Sequence, residues 1–274
     1  MFGALFGDII GSYYEHHCTK NYNFELMRES SFTDDSVMTA AVCRAILTNP
    51  ANISKDEQKE RAKQYAAFYK QFYSFFPDAG FGQMFSSWAK NPVLSKQASY
   101  GNGAAMRAVP IGYAYSSLEQ VLLQARASCL YTHSNKEAII GAQTVAAAVY
   151  MANNGSGKSE IKDYIEKSFG YDLSIKLSDI AADYLFDSRT SYSVPPSVIA
   201  FLESEDYESA VRLAVSLGGD ADTMACIAGG IAEAFYHKIP REIKTFCYNR
   251  LASTIKLTAN EFCARYIKIQ TEFA

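Results

Sequence analysis

"SLGGDADTMA" occupies residues 216–225. Asp220, Asp222 and Thr223 follow directly on the pair Gly218-Gly219, and from Met224 onward apolar residues recur with helical spacing. The stretch therefore reads as the start of a helix over 221–236. Acids favour the positive end of a helix dipole, but a single capping oxygen suffices there, and neighbouring carboxylates repel one another. Gly218 and Gly219 allow a close backbone approach that a side chain would block. A helix start of this composition is built to face something positive.

Working outward, helical periodicity recurs along the chain and strand-like alternation is hard to find. Helices are predicted over 2–14, 34–48, 55–75, 103–114, 117–131, 135–153, 206–216, 221–236 and 241–268, the last broken near Ser253. Capping residues open several of them, among them Ser54, Ser117 and the pair Ser134-Asn135. "NNGSGKS" (153–159) and Pro195-Pro196 read as loops, with amphipathic helices resuming on both sides. The expectation is a single all-α domain spanning residues 1–274.

The bulk properties narrow the function. A net charge of −3 supplies no electrostatic footprint for an extended nucleic-acid surface. Six scattered cysteines form no zinc or redox spacing and read as reduced residues of a cytoplasmic protein. The opening "MFGALFGDIIGSYYEHH" has no basic leader and is interrupted by Asp8, so it fits neither a signal peptide nor a membrane span. The chain is expected to be a monomer acting on a small ligand or a short modified segment.

"FTDDSVMT" (32–39) repeats the logic of "GGDADT" nearly 190 residues earlier, with Thr33, Asp34 and Asp35 at a second helix start. Together the two clusters offer four carboxylates and two hydroxyls. Such hard oxygens suit magnesium, manganese or calcium, whereas zinc or iron would call for His or Cys, which neither cluster contains. A site for two cations would neutralise all four acids.

Three further features accompany the acids. In "SYGNGAAMR" (99–107), Gly101 and Gly103 bracket Asn102, leaving backbone N–H groups available to an anion, with Tyr100 able to lie against a ribose or base. In "GALFGDIIGSYYE" (3–15), Gly3, Gly7 and Gly11 make one smooth helix face, and Asp8 and Glu15, two turns apart, share a side. His133 closes a helix just ahead of the next cap, where it serves as a dipole partner or a ligand contact, while His16 and His17 read as surface residues.

"GALFGDIIGSYYE", "FTDDSVMT", "SYGNGAAMRAVPIG", "TH" and "SLGGDADT", in that order over almost the whole chain, resemble the ADP-ribosylglycohydrolases, in particular the compact bacterial-type branch. That family includes the dinitrogenase-reductase-activating glycohydrolase and the ADP-ribosyl-acceptor hydrolases. The resemblance implies an orthogonal helical bundle with a central cleft for two Mg²⁺ or Mn²⁺ ions, held by Thr33, Asp34, Asp35, Asp220, Asp222 and Thr223. It implies that Glu15 approaches the metals and the scissile ribose. It further implies that Ser99, Tyr100, Gly101, Asn102, Gly103 and His133 bind ADP-ribose, with Arg107 a support or a ligand. Ser36 stands where many members have threonine, and the segment between Tyr150 and Pro195 matches no motif.

The implied reaction is hydrolysis of the bond between ADP-ribose and an acceptor, with Glu15 or Asp35 as the base. The acceptor, whether arginine, serine, a nucleic-acid end or a free ADP-ribose derivative, does not follow from these motifs. A non-catalytic or crystallin-like ADP-ribose binder would share the fold, and it would be told apart by ADP-ribose release measured with and without a chelator. A nucleotide pyrophosphohydrolase would show acids paired within helices rather than at their starts.

Overall fold

The computed structural model describes residues 1–267. Its first half comprises α1 (Phe2–His16), α2 (Asp34–Thr48), α3 (Gln58–Phe75), α4 (Gln83–Lys90), a 3-10 turn (Asn102–Ala104), α5 (Val109–Ala114), α6 (Leu118–Cys129) and α7 (Lys136–Asn153). The second half comprises α8 (Lys158–Phe169), α9 (Leu177–Ile180), α10 (Thr190–Glu203), α11 (Tyr207–Ser216), α12 (Ala221–Tyr236), α13 (Arg241–Arg250) and α14 (Ser253–Tyr266). The fold is all-α, as expected. The only extended pairings among the described residues are two isolated bridges, Ala98 with His133 and Gly101 with Arg189.

The architecture is organised by α12. All its residues from Ala221 to Ala234 are buried, and α1, α10, α11 and α7 pack around it. A helix apolar on every face has no stable position except inside a core. Gly3, Gly7 and Gly11 of α1 lie against the backbone of α12 near Gly229, Ala225 and Ala221 respectively. The order of these contacts makes the pair antiparallel. A Cβ on Gly7 would stand 2.1 Å from the Ala225 carbonyl oxygen, so only glycine permits this approach. The C-terminal end of α1 is thereby delivered to the N-terminal end of α12, and two acid-bearing joints become neighbours.

Several predicted boundaries shift for local reasons. The stretch 103–114 is not one helix: Asn102 N–H turns to the Ser188 carbonyl at 2.8 Å, and α5 begins only at Val109, with Pro110 in its first turn where a missing N–H does no harm. α3 begins at Gln58 rather than residue 55, because the Glu57 carboxylate accepts from Ser54 N–H and holds a turn there. α4, α8, α9 and α10 are additional helices. Pro195 and Pro196, read as a loop, sit inside α10. The Tyr192 carbonyl, which Pro196 cannot serve, accepts instead from Tyr184 Oη at 2.7 Å. The break expected near Ser253 is present between α13 and α14, while residue 268, the last of that predicted helix, lies outside the described residues. No helix among the described residues is long and apolar enough to cross a membrane.

Candidate active site

Three helix ends converge. Thr33 caps α2, its Oγ1 accepting from Asp35 N–H, and α12 starts at the Asp220–Asp222 turn. The segment after α1 is fastened to that turn. Lys20 Nζ donates to the carbonyls of Ala181, Tyr184 and Leu217, and Cys18 Sγ lies 3.4 Å from the Gly218 carbonyl. Gly218 has φ +68°, a left-handed conformation suited to glycine.

Asp8 is the residue that joins α1 to α2. Wholly buried, it accepts from Thr33 N–H at 3.0 Å, Thr33 Oγ1 at 2.7 Å and Ser36 N–H at 3.1 Å, and also from Ser36 Oγ. The hydroxyl retained at Ser36 is thus in use. Asp8 stood outside the ligand set expected from sequence. The signal for it was a charge in the apolar face of a helix that buries that face.

The carboxylates stand close together. Oxygens of Asp8, Asp35 and Asp222 lie within 4.8 Å of one another, as do those of Glu15, Asp220 and Asp222. Among the described residues no salt bridge reaches Asp8, Asp34, Asp35, Asp220 or Asp222, and Glu15 meets only His16, at 3.7 Å. Burial first, and then the charge of Asp222, push Asp34, Asp35 and Asp220 well above the usual carboxylate range and Asp8 to about 7. Glu15 is raised by the same two causes. Asp35 Oδ1 is buried with no hydrogen-bond partner, and its Oδ2 has Thr223 Oγ1 at 3.3 Å. Clustered acids, an orphaned carboxylate oxygen and nearby hydroxyls are a donor set suited to hard divalent cations.

These acids open on a cavity of about 310 Å³ lined by Glu15, Asp34, Asp35, Asp220, Asp222 and Thr223 on one side. Asn102, Gly103, His133, Phe186 and Ser188 also line it. A second, shallower groove of about 610 Å³ carries Thr33 and shares Glu15, Asp34 and Asp222 with the first. Thr33 is committed to Asp8 and lies on the groove side. Glu15, with 27% of its side chain exposed, stands between the two spaces.

The glycine loop is placed at the cavity but works differently from its sequence reading. Gly101 N–H donates to Ser99 Oγ at 3.1 Å and Asn102 N–H to Ser188, so neither is free for an anion. Asn102 Nδ2 instead donates to Asp220 Oδ2 at 2.8 Å and to Ser193 Oγ at 3.0 Å. Tyr100 is 55% exposed and outside the cavity lining, its carbonyl held by Thr190. Thr190 holds the loop backbone at this point, and the Tyr100 ring faces solvent. His133 follows the end of α6, its N–H donating to the Cys129 carbonyl at 2.7 Å, and is buried; burial together with Arg107 holds its ring well below the usual imidazole range. His16 and His17 are exposed, as expected. Phe186 and Ser188 come from the motif-free segment, where a lone aromatic and a serine carry no readable signal.

The sequence profile of the ADP-ribosylglycohydrolases matches residues 1–269. The chain belongs to the ADP-ribosylglycohydrolase family. ADP-ribosylhydrolase ARH3 of Homo sapiens is 26% identical over a 325-residue alignment that covers 89% of this chain and 87% of the human protein. The Mus musculus protein of the same name is 27% identical, covering 89% and 85%. A solved "ADP-ribosylglycohydrolase-related protein complex" superposes with a TM-score of 0.65 at 23% identity, covering 95% of this chain and 94% of its own, and so shares the fold. Membership makes this ADP-ribosylglycohydrolase a glycosyl hydrolase, and its acids are positioned where they could hold metal.

Proposed function

We propose that the enzyme hydrolyses the glycosidic bond joining ADP-ribose to an acceptor, reversing mono-ADP-ribosylation. The observation that carries this reading is the meeting of acids from α1, α2 and α12 at one wall of a cavity, within a chain of this family. Thr33, Asp34, Asp35, Asp220, Asp222 and Thr223, with Asp8 behind them, are the residues that would hold two Mg²⁺ or Mn²⁺ ions. When bound, such ions neutralise the acids and polarise ribose hydroxyls and water.

The remaining tasks fall to side chains. Glu15 is the better base of the two candidates: it is partly exposed and borders both spaces, while Asp35 is buried among other acids. Its raised pKa keeps it able to accept a proton from water and return one. Asn102 holds Asp220, and His133, which lines the same cavity, meets the ligand. Ser99 shapes the loop through Gly101. The leaving acceptor would exit through the shallower groove, on the far side of Glu15. With all six cysteines free, we place the enzyme in the cytoplasm, acting as a monomer.

The test is ADP-ribose release from defined arginine- and serine-linked substrates, with and without a chelator. Release that needs Mg²⁺ or Mn²⁺ supports the reading. Binding without release would make the chain an ADP-ribose binder instead.

A further inference from the structure

Away from the carboxylates, one polar chain runs from the interior to the cavity wall. Arg107 is 1% exposed, and its guanidinium lies over the Tyr69 ring at 4.0 Å. Its Nη2 donates to the Ser128 carbonyl at 3.1 Å and to Thr132 Oγ1 at 2.6 Å, while its Nε has no partner. Thr132, also 1% exposed, has Oγ1 2.9 Å from His133 Nδ1. Among the described residues Thr132 Oγ1 has no polar partners except Arg107 and His133.

Proton counting sets the direction of this chain. A guanidinium only donates, so Thr132 Oγ1 accepts from Arg107. The single hydroxyl proton of Thr132 then has one acceptor in reach, His133 Nδ1. The opposite tautomer, with Nδ1–H donating to Thr132, would strand that proton in a buried site, which is strongly disfavoured. Protonating both ring nitrogens is opposed by burial and by the adjacent Arg107 charge. The proton of the neutral ring therefore sits on Nε2, which has no protein partner among the described residues. A Cβ on Gly103 would stand 3.0 Å from Nε2, and one on Gly101 4.0 Å, so the two glycines leave its approach open.

The geometry points to Arg107 and Thr132 as positioning residues that lock His133 in the Nε2–H tautomer, making it a hydrogen-bond donor to an acceptor oxygen of the substrate. The identity of that oxygen, on a phosphate or ribose of ADP-ribose, rests on the function proposed above; the tautomer does not. This gives the "AAMR" and "YTH" stretches one shared role. It also supplies a side-chain donor beside a loop in which the Gly101 and Asn102 N–H groups are already bonded.

Nitrogen NMR on the full chain labelled with ¹⁵N-histidine tests this, the His133 signals being assigned by their loss in His133→Gln. The expected spectrum has Nε2 pyrrole-like and Nδ1 pyridine-like. Thr132→Val should move the ring to a mixture or to Nδ1–H and weaken ADP-ribose binding about ten-fold, the loss of one hydrogen bond. Thr132→Ser should restore both, which a merely structural role would not require. Arg107→Met should give a mixed tautomer, and where it fails to fold the Val and Ser pair decides. An Nδ1–H or doubly protonated His133 in the wild type, or an unchanged tautomer in Thr132→Val, overturns the proposal. The expected tautomer in a protein that does not bind ADP-ribose supports the relay and overturns the ligand assignment.

Discussion

Asn102 Nδ2 donates to Asp220 Oδ2 at 2.8 Å, tying the glycine loop to the acid turn of α12. The same amide also reaches Ser193 on α10. One side chain thus ties the glycine loop to α10 and to the acid turn, and orients a carboxylate that would hold a cation. Asn102→Ala leaves Asp220 without its donor. Metal affinity should fall by about 10–100-fold, as for other residues that orient ligands, with activity falling in step. Titration calorimetry with Mn²⁺ checks this; unchanged affinity would mean that Asn102 acts only on the loop.

Gly7 and Gly82 make a matched pair of opposite outcome. Alanine at Gly7 meets the Ala225 carbonyl at 2.1 Å, in the backbone contact that brings Glu15 and Asp8 to α12. Alanine at Gly82 meets nothing within 4 Å. Gly7→Ala should destabilise the enzyme by about 3 kcal/mol or more, since a backbone must move, whereas Gly82→Ala should be nearly silent. Denaturant unfolding of both variants is the measurement, and equal midpoints would contradict the packing.

How much of this was readable follows the same division. The glycine face of α1 and the apolar run of α12 are periodic signals, and periodicity survives translation into packing. The acids at 33–35 and 220–223 were readable because no helix start needs so many. Asp8 was harder: in sequence it is a lone acid, and only the fold shows that it serves the α2 start. α10 was lost because two prolines argue for a loop unless a tyrosine elsewhere supplies the missing donor. The exposure of Tyr100 was unreadable for a similar reason, since the hold that Thr190 exerts on its carbonyl comes from a residue 90 positions away.

Asp35 should show stability and activity moving in opposite directions. Its carboxylate is 2% exposed, has one oxygen without a partner, and lies in the field of Asp222, Asp8, Asp34 and Asp220. Asp35→Asn removes one ionisable group, with the cost of burying it, from the crowded acids of the metal-free protein. Its melting temperature in chelator should match or exceed that of the wild type, by up to a few degrees. Turnover should fall by a factor on the order of 10³, since charge stabilisation at the reacting bond is lost. A variant equally active with metal would remove Asp35 from the ligand set.

The metal-free protein should also lose stability as pH rises, the reverse of ordinary acid denaturation. Asp8 titrates at about 7 in the folded state against 3.8 as an exposed carboxyl, because burial and Asp222 oppose its charge. Between those values the folded chain keeps a proton that the unfolded chain has released. Stability from Asp8 is therefore complete below the unfolded value and declines as pH rises through the folded one. Asp34, Asp35, Asp220 and Glu15 shift in the same direction and add to the slope. A bound divalent cation needs these groups ionised, so it replaces the protons and flattens or reverses the trend. Thermal melts from about pH 5 to about pH 8 should fall steadily with chelator and hold level with Mg²⁺. Asp8→Asn, keeping the shape without the titration, should reduce the slope in chelator. A melting temperature that instead rises over that window without metal would show that the acids are ionised in the apo protein and that the charge crowding is relieved by some other group.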